Sequence, residues 1–544
     1  MRTGAMAEMV WRVCEALSRK PVVAGLLLVL VCAMVTLPGL GAHGFVNSEA
    51  HRAVPAFEML ERGEFIVPTM FDQVYLRKPP GMPWLIALSS RVFGETEFAA
   101  RFVSACAWTC SVLLIWIFAC RWFGKPFGLC AALACVLWPW FWTSARSAEI
   151  EALHNMFSVL FVLSCIDLVV WQKRMPAHDS QKAIVRALSS CAAIAIGLSG
   201  MFAVKGGAGL AAIGGVLIGA TYIRMKHCSR LDARVPVQTV AIVVFCAIVG
   251  VGAFTSIWLR QYLAASSQDA VTQSSAHFLW NMEKLHRILI IVFDAFVAGA
   301  PWMFAALWPW GPFARDEAKC AVVTGVDMAA HDRLVVAQTV SLACIAGLVI
   351  SMIAGVSNVR YTMPVGMPAC VLVAYCMRGW RMHFGRTRRV FWRICTLGSP
   401  LLVYLLLLIA IAIYYTKFEE RRARLSGREI GFEIGAAVQT DMDRSQVSDT
   451  VVLADHLVEA RPEILLAIEN TANTHVRWIS GLSESASLEQ VGGVVYLALR
   501  EDDDSDERSA MQRSGALENA DLVGEWSFRE YRIIVYRVNT TRTN

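Results

Sequence analysis

The chain has 544 residues, of which 56% are hydrophobic and only 17% charged, with a mean hydropathy of +0.49. These proportions exclude a disordered chain and an ordinary soluble enzyme, and a net charge of +6 carried mostly in loops gives no reason to propose nucleic acid. Apolar runs of about 20 residues recur, each long enough to cross a hydrocarbon core of about 30 Å, so the chain reads as an all-α polytopic membrane protein.

Residues 1–20 carry Arg2, Arg12, Arg19 and Lys20, and the apolar run from Pro21 to Leu37 follows directly. The pattern resembles a signal peptide, but no small-x-small cleavage site follows Pro38. A retained first span with a cytoplasmic N-terminus is the simpler account. Further spans are expected at 98–120, 126–143, 152–171, 187–203, 206–223, 236–258, 288–308, 334–355, 361–377 and 393–415, about eleven in all. Positive charge alternates between the loops as the positive-inside bias requires, most strongly in the set from Arg378 to Arg389. The loop 41–97, the short loops 144–151 and 356–360, the loop 259–287 and everything after 416 are therefore expected outside.

Residues 416–544 change in composition and are expected to form a small extracytoplasmic α/β domain. β-type runs lie at 450–453, 494–499 and 531–538, with a helical stretch at 462–470. The acidic run from Glu501 to Glu507 reads as a solvated loop. The resulting division is a cytoplasmic segment 1–20, a transmembrane domain 21–415 that includes the outer loop 41–97, and the domain 416–544. Most of the 16 cysteines sit inside apolar runs, with no Cys-x-x-Cys. His51, His154, His277 and His286 fall near the outer face in no recognisable ligand spacing, so no metal site is predicted.

The first outer loop is dense in charge beside the membrane. From Glu49 to Leu60 its periodicity is amphipathic, which predicts an interfacial helix with Glu49 at its beginning. It continues through Tyr75, Arg77, Lys78, Pro79 and Pro80, where a basic pair meets a turn that proline makes rigid. A lysine ammonium held there suits phosphate as a point charge, against the plainer reading of membrane-edge snorkelling. Asp294 lies two turns inside the eighth apolar run and is a functional candidate, or else a buried partner of Lys284 or Arg287.

Several stretches carry a resemblance in their order: Glu58 to Gly63 with Pro68, Tyr75 to Pro80, Phe93 to Glu97, and Ala99 to Arg101. Arg146 with Glu151, Lys205-Gly206, Pro301-Trp302, and Arg360-Tyr361 with Pro364 follow downstream. Over residues 20–415 this resembles the GT-C glycosyltransferases, within them the bacterial aminoarabinose transferase and protein O-mannosyltransferase family. The resemblance implies a GT-C architecture and inverting transfer of a sugar from a polyprenyl-phosphate donor, on the extracytoplasmic face of a bacterial inner membrane. The acceptor is a lipid, a protein or a glycan; membrane lipids are the other partners. No cofactor is predicted, and a divalent metal stays an open alternative. The family's catalytic acid opens an Asp-Glu pair, and that position is Ser48 here, with Glu49 after it. Glu49 and Glu151 are thus the candidate catalytic or site-organising carboxylates, and Lys78, Lys205 and Arg360 the candidate phosphate ligands. Ser48, Arg52, Tyr75, Arg77, Arg146, Asp294 and Tyr361 are supporting candidates; for Arg52, Arg77 and Arg146 a surface or interface charge is the plainer reading. Two competing readings are a transporter or flippase of a lipid-linked or small polar solute, and an inactive binder of lipid-phosphate sugars.

Overall fold

The structure, a computed structural model, describes residues 15–46, 48–136, 143–172, 180–227, 306–310, 328–353, 366–383, 426–446 and most of 450–539. The expected spans at 236–258 and 393–415, most of that at 288–308, and Asp294, Arg360 and Tyr361 lie outside the described residues. In chain order the first elements are α1 (Pro21–Thr36), α2 (Ala50–Arg62), the hairpin β1 (Thr69–Met70) and β2 (Gln73–Val74), α3 (Gly81–Phe93) and α4 (Glu97–Phe123). There follow α5 (Lys125–Val136), α6 (Ile150–Gln172), α7 (Ser180–Lys205), α8 (Leu210–His227), α9 (Met328–Ile353) and α10 (Val371–His383). The C-terminal elements are α11 (Arg428–Ser445), β3 (Val451–Ala454), α12 (Pro462–Ala472), β4 (His475–Trp478), β5 (Val494–Glu501), α13 (Glu507–Arg513), β6 (Ala520–Phe528) and β7 (Tyr531–Asn539).

The chain divides into two compact units. One holds Met1–Pro38, Arg77–Met82 and Val103–Tyr414. Among the described residues, four helical stretches are long and apolar enough to cross a membrane: Glu97–Phe123, Ile150–Leu168, Leu188–Lys205 and Arg333–Ser351. Pro21–Thr36, Lys125–Val136, Leu210–Tyr222 and Met367–Arg378 are shorter apolar helices. The chain is accordingly an integral membrane protein. α1 opens on Pro21, whose missing N–H costs nothing in a first turn. α6 and α7 are antiparallel neighbours joined by a short connection, and small residues let them approach closely: a Cβ on Gly197 would lie 2.8 Å from the Phe161 backbone nitrogen. That packing sets the start of α6 beside the end of α7.

The other unit holds Gly39–Leu76, Pro83–Phe102 and Tyr415–Asn544. Its five-stranded sheet has the order β4-β3-β5-β7-β6, with β3 parallel to β4 and β5, and β7 antiparallel to β5 and β6. α11 and α12 lie together over one face, where a Cβ on Gly431 would meet the Ile464 carbonyl oxygen at 2.7 Å. Ile434, Ile464, Ile468, Val452, Tyr496 and Val535 form the core there. Val54, Met70, Phe71 and Tyr75 of the first outer loop belong to that same core, and the Trp478 N–H donates to the Phe71 carbonyl at 2.9 Å. The other face packs Leu453, Leu497, Leu499, Ile534 and Val538 around Met511 of α13. α2 departs from the interfacial helix expected of its sequence, because every residue from Ala50 to Met59 is buried. Its polar side is turned inward and satisfied by neighbours.

Candidate functional site

In the sheet-bearing unit the carboxylate of Glu49 is inaccessible and bidentate with Arg101, which donates from Nε to Oε1 at 3.0 Å and from Nη2 to Oε2 at 2.8 Å. The Val46 N–H also donates to Glu49 Oε2 at 2.9 Å. Arg101 spends its other donors on backbone carbonyls, Leu40 at 2.9 Å, His43 at 2.7 Å and Gly44 at 2.7 Å. All five guanidinium N–H groups are thereby used, which only an arginine fork can do. The arrangement pins residues 40–49 against the first turns of α4 and makes Glu49 an organiser of the loop.

One turn into α2, Pro55 has no N–H for the His51 carbonyl, and Arg52 Nη1 fills that acceptor at 3.1 Å. The same nitrogen donates to the Tyr75 hydroxyl at 3.3 Å, and the rings of His51 and Tyr75 lie 6.1 Å apart. Arg52 and Tyr75, both supporting candidates, are therefore brought together although 23 positions apart. Ser48 is half-buried beside Glu49.

In the membrane-spanning unit, Glu151 stands in the first turn of α6 and Lys205 ends α7. Each sits at the helix end whose dipole favours its charge. The Lys205 Nζ meets Glu151 Oε1 at 3.2 Å, with both side chains almost fully enclosed. His154, one turn further along α6, is completely buried, and neither ring nitrogen has a hydrogen-bond partner among the described residues. The Lys-Pro-Pro turn packs against the same end of α7: a Cβ on Gly81 would fall 2.6 Å from the Ala203 carbonyl oxygen, and one on Gly206 would meet Pro79 at 4.0 Å. Lys78 is half-buried in that turn and Arg77 is exposed. Two of the three expected phosphate ligands and one expected carboxylate thus converge on one corner of one unit. Arg146 serves elsewhere, donating to the carbonyls of Thr36 at 2.6 Å and Pro38 at 2.8 Å and so capping the C-terminal end of α1. Among the described residues no group of acidic, histidine or cysteine side chains is arranged to hold a metal ion.

Arg101 and His154 are the side chains here that sequence reasoning did not place among the site residues. The first was visible only as the end of an Ala-Ala-Arg helix start, and the second only as one histidine of several near the outer face.

The fold has counterparts among solved structures. Solved structures of ArnT from Cupriavidus metallidurans match it end to end: the apo form with a TM-score of 0.57 over 96% of this chain and 98% of that one, at 14% identity. The form bound to undecaprenyl phosphate matches with a TM-score of 0.54 over 95% and 99%, also at 14% identity. In sequence, the family described as dolichyl-phosphate-mannose-protein mannosyltransferase matches residues 77–251. The undecaprenyl phosphate-alpha-4-amino-4-deoxy-L-arabinose arabinosyl transferase of Pseudomonas savastanoi pv. phaseolicola is 38% identical over 103 residues, 19% of each chain. That of Pectobacterium carotovorum subsp. carotovorum is 35% identical over 107 residues, 20% of this chain and 19% of the relative. The matched stretch spans only about a fifth of the length of these curated relatives. The chain is thus similar to the GT-C glycosyltransferases of the aminoarabinose-transferase and protein-mannosyltransferase type, in its fold along nearly its whole length and in sequence over part of it.

Proposed function

We propose that the protein is an integral-membrane glycosyltransferase that moves a sugar from a polyprenyl-phosphate donor to a lipid, protein or glycan acceptor on the extracytoplasmic face, with inversion at the anomeric carbon. The observation that carries this reading is the enclosed Glu151–Lys205 pair, 3.2 Å apart, with the Lys-Pro-Pro turn packed against the same helix end. A departing phosphate needs cations, and Lys78 and Lys205 supply them. The acceptor hydroxyl needs a base. Glu151 is the carboxylate for that task, since Glu49 is held by two Arg101 N–H groups and the Val46 N–H. In the reaction Glu151 takes the acceptor proton as its oxygen bonds to the anomeric carbon, and the bond to phosphate breaks with its electron pair passing to the phosphate oxygen. When donor phosphate reaches Lys205, the ammonium exchanges its carboxylate partner for a phosphate oxygen, which frees Glu151 to act. Arg360, on the strength of the Arg360-Tyr361 and Pro364 resemblance alone, is the third phosphate ligand in this reading, and Glu49 is the organiser that fixes the loop.

The test is release of polyprenyl phosphate from labelled polyprenyl-phosphate sugars by protein in lipid. Glu151→Gln should slow release by about 10²–10⁴-fold, the worth of a general base, while leaving donor binding in place. Lys78→Ala should weaken donor binding by about tenfold or more. Donor bound without release by the unmodified protein would overturn the transferase and leave a binder of lipid-phosphate sugars.

A further inference from the structure

Two adjoining cavities lie within the sheet-bearing unit, of ≈ 670 and ≈ 220 Å³, sharing Phe57, Glu95, Leu466 and Asn470 in their walls. The larger is of the size that holds small organic ligands. Glu58, Glu61, Asp72, Glu95 and Glu469 line it, with Arg62 and His475 as its basic groups. The smaller adds Glu97, Glu463 and Arg428, with Phe45 and Phe432 also in its wall.

The basic groups are already engaged: Arg62 with Asp72 and Glu58, Arg428 with Glu97 at 3.2 Å, and His475 with Glu469 at 3.1 Å. Acid is left in excess. Partial burial, and after it Glu61, raises the pKa of Glu95; burial also raises that of Glu469, with Glu61 and Glu58 adding to it. The carboxylates therefore repel one another across the cavity.

Glu463 supplies an independent sign of a missing partner. Its side chain is 3% exposed and one oxygen accepts from Arg461 at 3.2 Å, but Oε2 is enclosed with no hydrogen-bond partner among the described residues, in the wall of the smaller cavity. An enclosed carboxylate oxygen without a donor costs about 1–3 kcal/mol or more in the folded protein, which a ligand donor would recover.

From these observations we infer that the paired cavities bind an organic oligo-ammonium ligand of the polyamine type, its ammonium groups on the carboxylates and its methylenes on the phenylalanine walls. Aromatic faces and carboxylates together suit an ammonium on an apolar frame. They suit a bare metal ion poorly, and no metal-holding group occurs among the described residues. The inference goes beyond the transferase reading and does not rest on it, since neither cavity is lined by Glu151, Lys78 or Lys205.

The experiment is calorimetric titration of the full-length protein in lipid with spermidine, beside its fully N-acetylated, uncharged analogue and Mg²⁺. A thermal-shift series reads stabilisation by mass action independently of any activity. Saturable spermidine binding with no binding of the acetylated analogue is expected. The double variant Glu61→Gln/Glu95→Gln, at two exposed positions that tolerate change, should weaken it by about tenfold or more. Glu463→Gln should weaken it too, and Glu64→Gln, an exposed acid outside both linings, should not. Binding that survives Glu61→Gln/Glu95→Gln, equal binding of the acetylated analogue, no binding of spermidine, or Mg²⁺ binding with the same dependence on these residues would each overturn the inference.

Discussion

At the scale of single residues, the fate of a carboxylate is decided by what surrounds it. Glu49 and Glu151 are both glutamates next to helix starts, yet Glu49 is locked into a planar fork while Glu151 meets the flexible ammonium of Lys205. A lysine ammonium is a point charge on a flexible stem and exchanges for phosphate more readily than an arginine fork with five satisfied donors. Removing one side of an enclosed ion pair leaves the other charge uncompensated, at a cost of about 3–5 kcal/mol. Glu49→Gln is therefore expected to lose activity through stability, with a lowered melting temperature and a loop 40–49 opened to proteolysis. The double variant Glu49→Gln/Arg101→Met should be less destabilised than the sum of the two single changes. Strict additivity in that cycle would show that the pair carries no structural load. Glu151→Gln breaks the enclosed pair with Lys205 in the same way and should also lower the melting temperature, so its loss of turnover is read at a temperature where the variant is still folded and still binds donor.

At the scale of elements, legibility followed the strength of the local pattern. The apolar runs at 98–120, 152–171 and 187–203 are matched by α4, α6 and α7, because a span of lipid length leaves an unmistakable hydropathy signal. β3, β5 and β7 fall where β-branched runs predicted strands. β4 and β6 were missed: β4 alternates, with His475 and Arg477 out and Val476 in, but over only four residues, and β6 is exposed along much of its length at the sheet edge. The burial of α2 was equally hidden, since its polar face reads as solvated until Arg52 and Glu58 are seen to be covered. Of the candidate site, Glu151, Lys78 and Lys205 were legible one at a time. Their convergence was not, because Glu151 and Lys205 are 54 positions apart and meet only through the antiparallel packing of α6 and α7. The Lys-Pro-Pro turn is held in that corner by the absence of a side chain at Gly81. A methyl there would press on the backbone of Ala203, which cannot step aside. Gly81→Ala should displace the turn and weaken donor binding by about tenfold or more while the fold persists. Gly366→Ala, whose added methyl meets none of the described residues within 4 Å, should bind donor normally. Equal donor affinity in the two variants would detach the turn from phosphate binding.

At the scale of the whole molecule, folding carries a cluster of carboxylates out of water, and this sets how stability answers to pH. Outside the membrane-spanning helices, burial raises Glu58, Glu95 and Glu469 above the ordinary value, and it pushes Glu463 up to about 7 from 4.5. Arg461 opposes the rise at Glu463, and Glu49 adds to it. Below pH 4.5 Glu463 is protonated whether the chain is folded or not, so its contribution is fully present. Between 4.5 and about 7 the folded state holds a proton that the unfolded chain has released, so stability falls as pH rises through this window. For Glu463 alone the loss is on the order of 3 kcal/mol at most. The melting temperature of the full-length protein should accordingly be higher at pH 5 than at pH 8, the reverse of a protein held by exposed acid–base pairs. Glu463→Gln keeps the shape without the titration, so it should flatten the slope and narrow the gap between the two melting temperatures. A profile that rises toward pH 8, or a slope that Glu463→Gln leaves unchanged, would mean that the α12 carboxylate is solvated in the working protein and does not set the pH response of this unit.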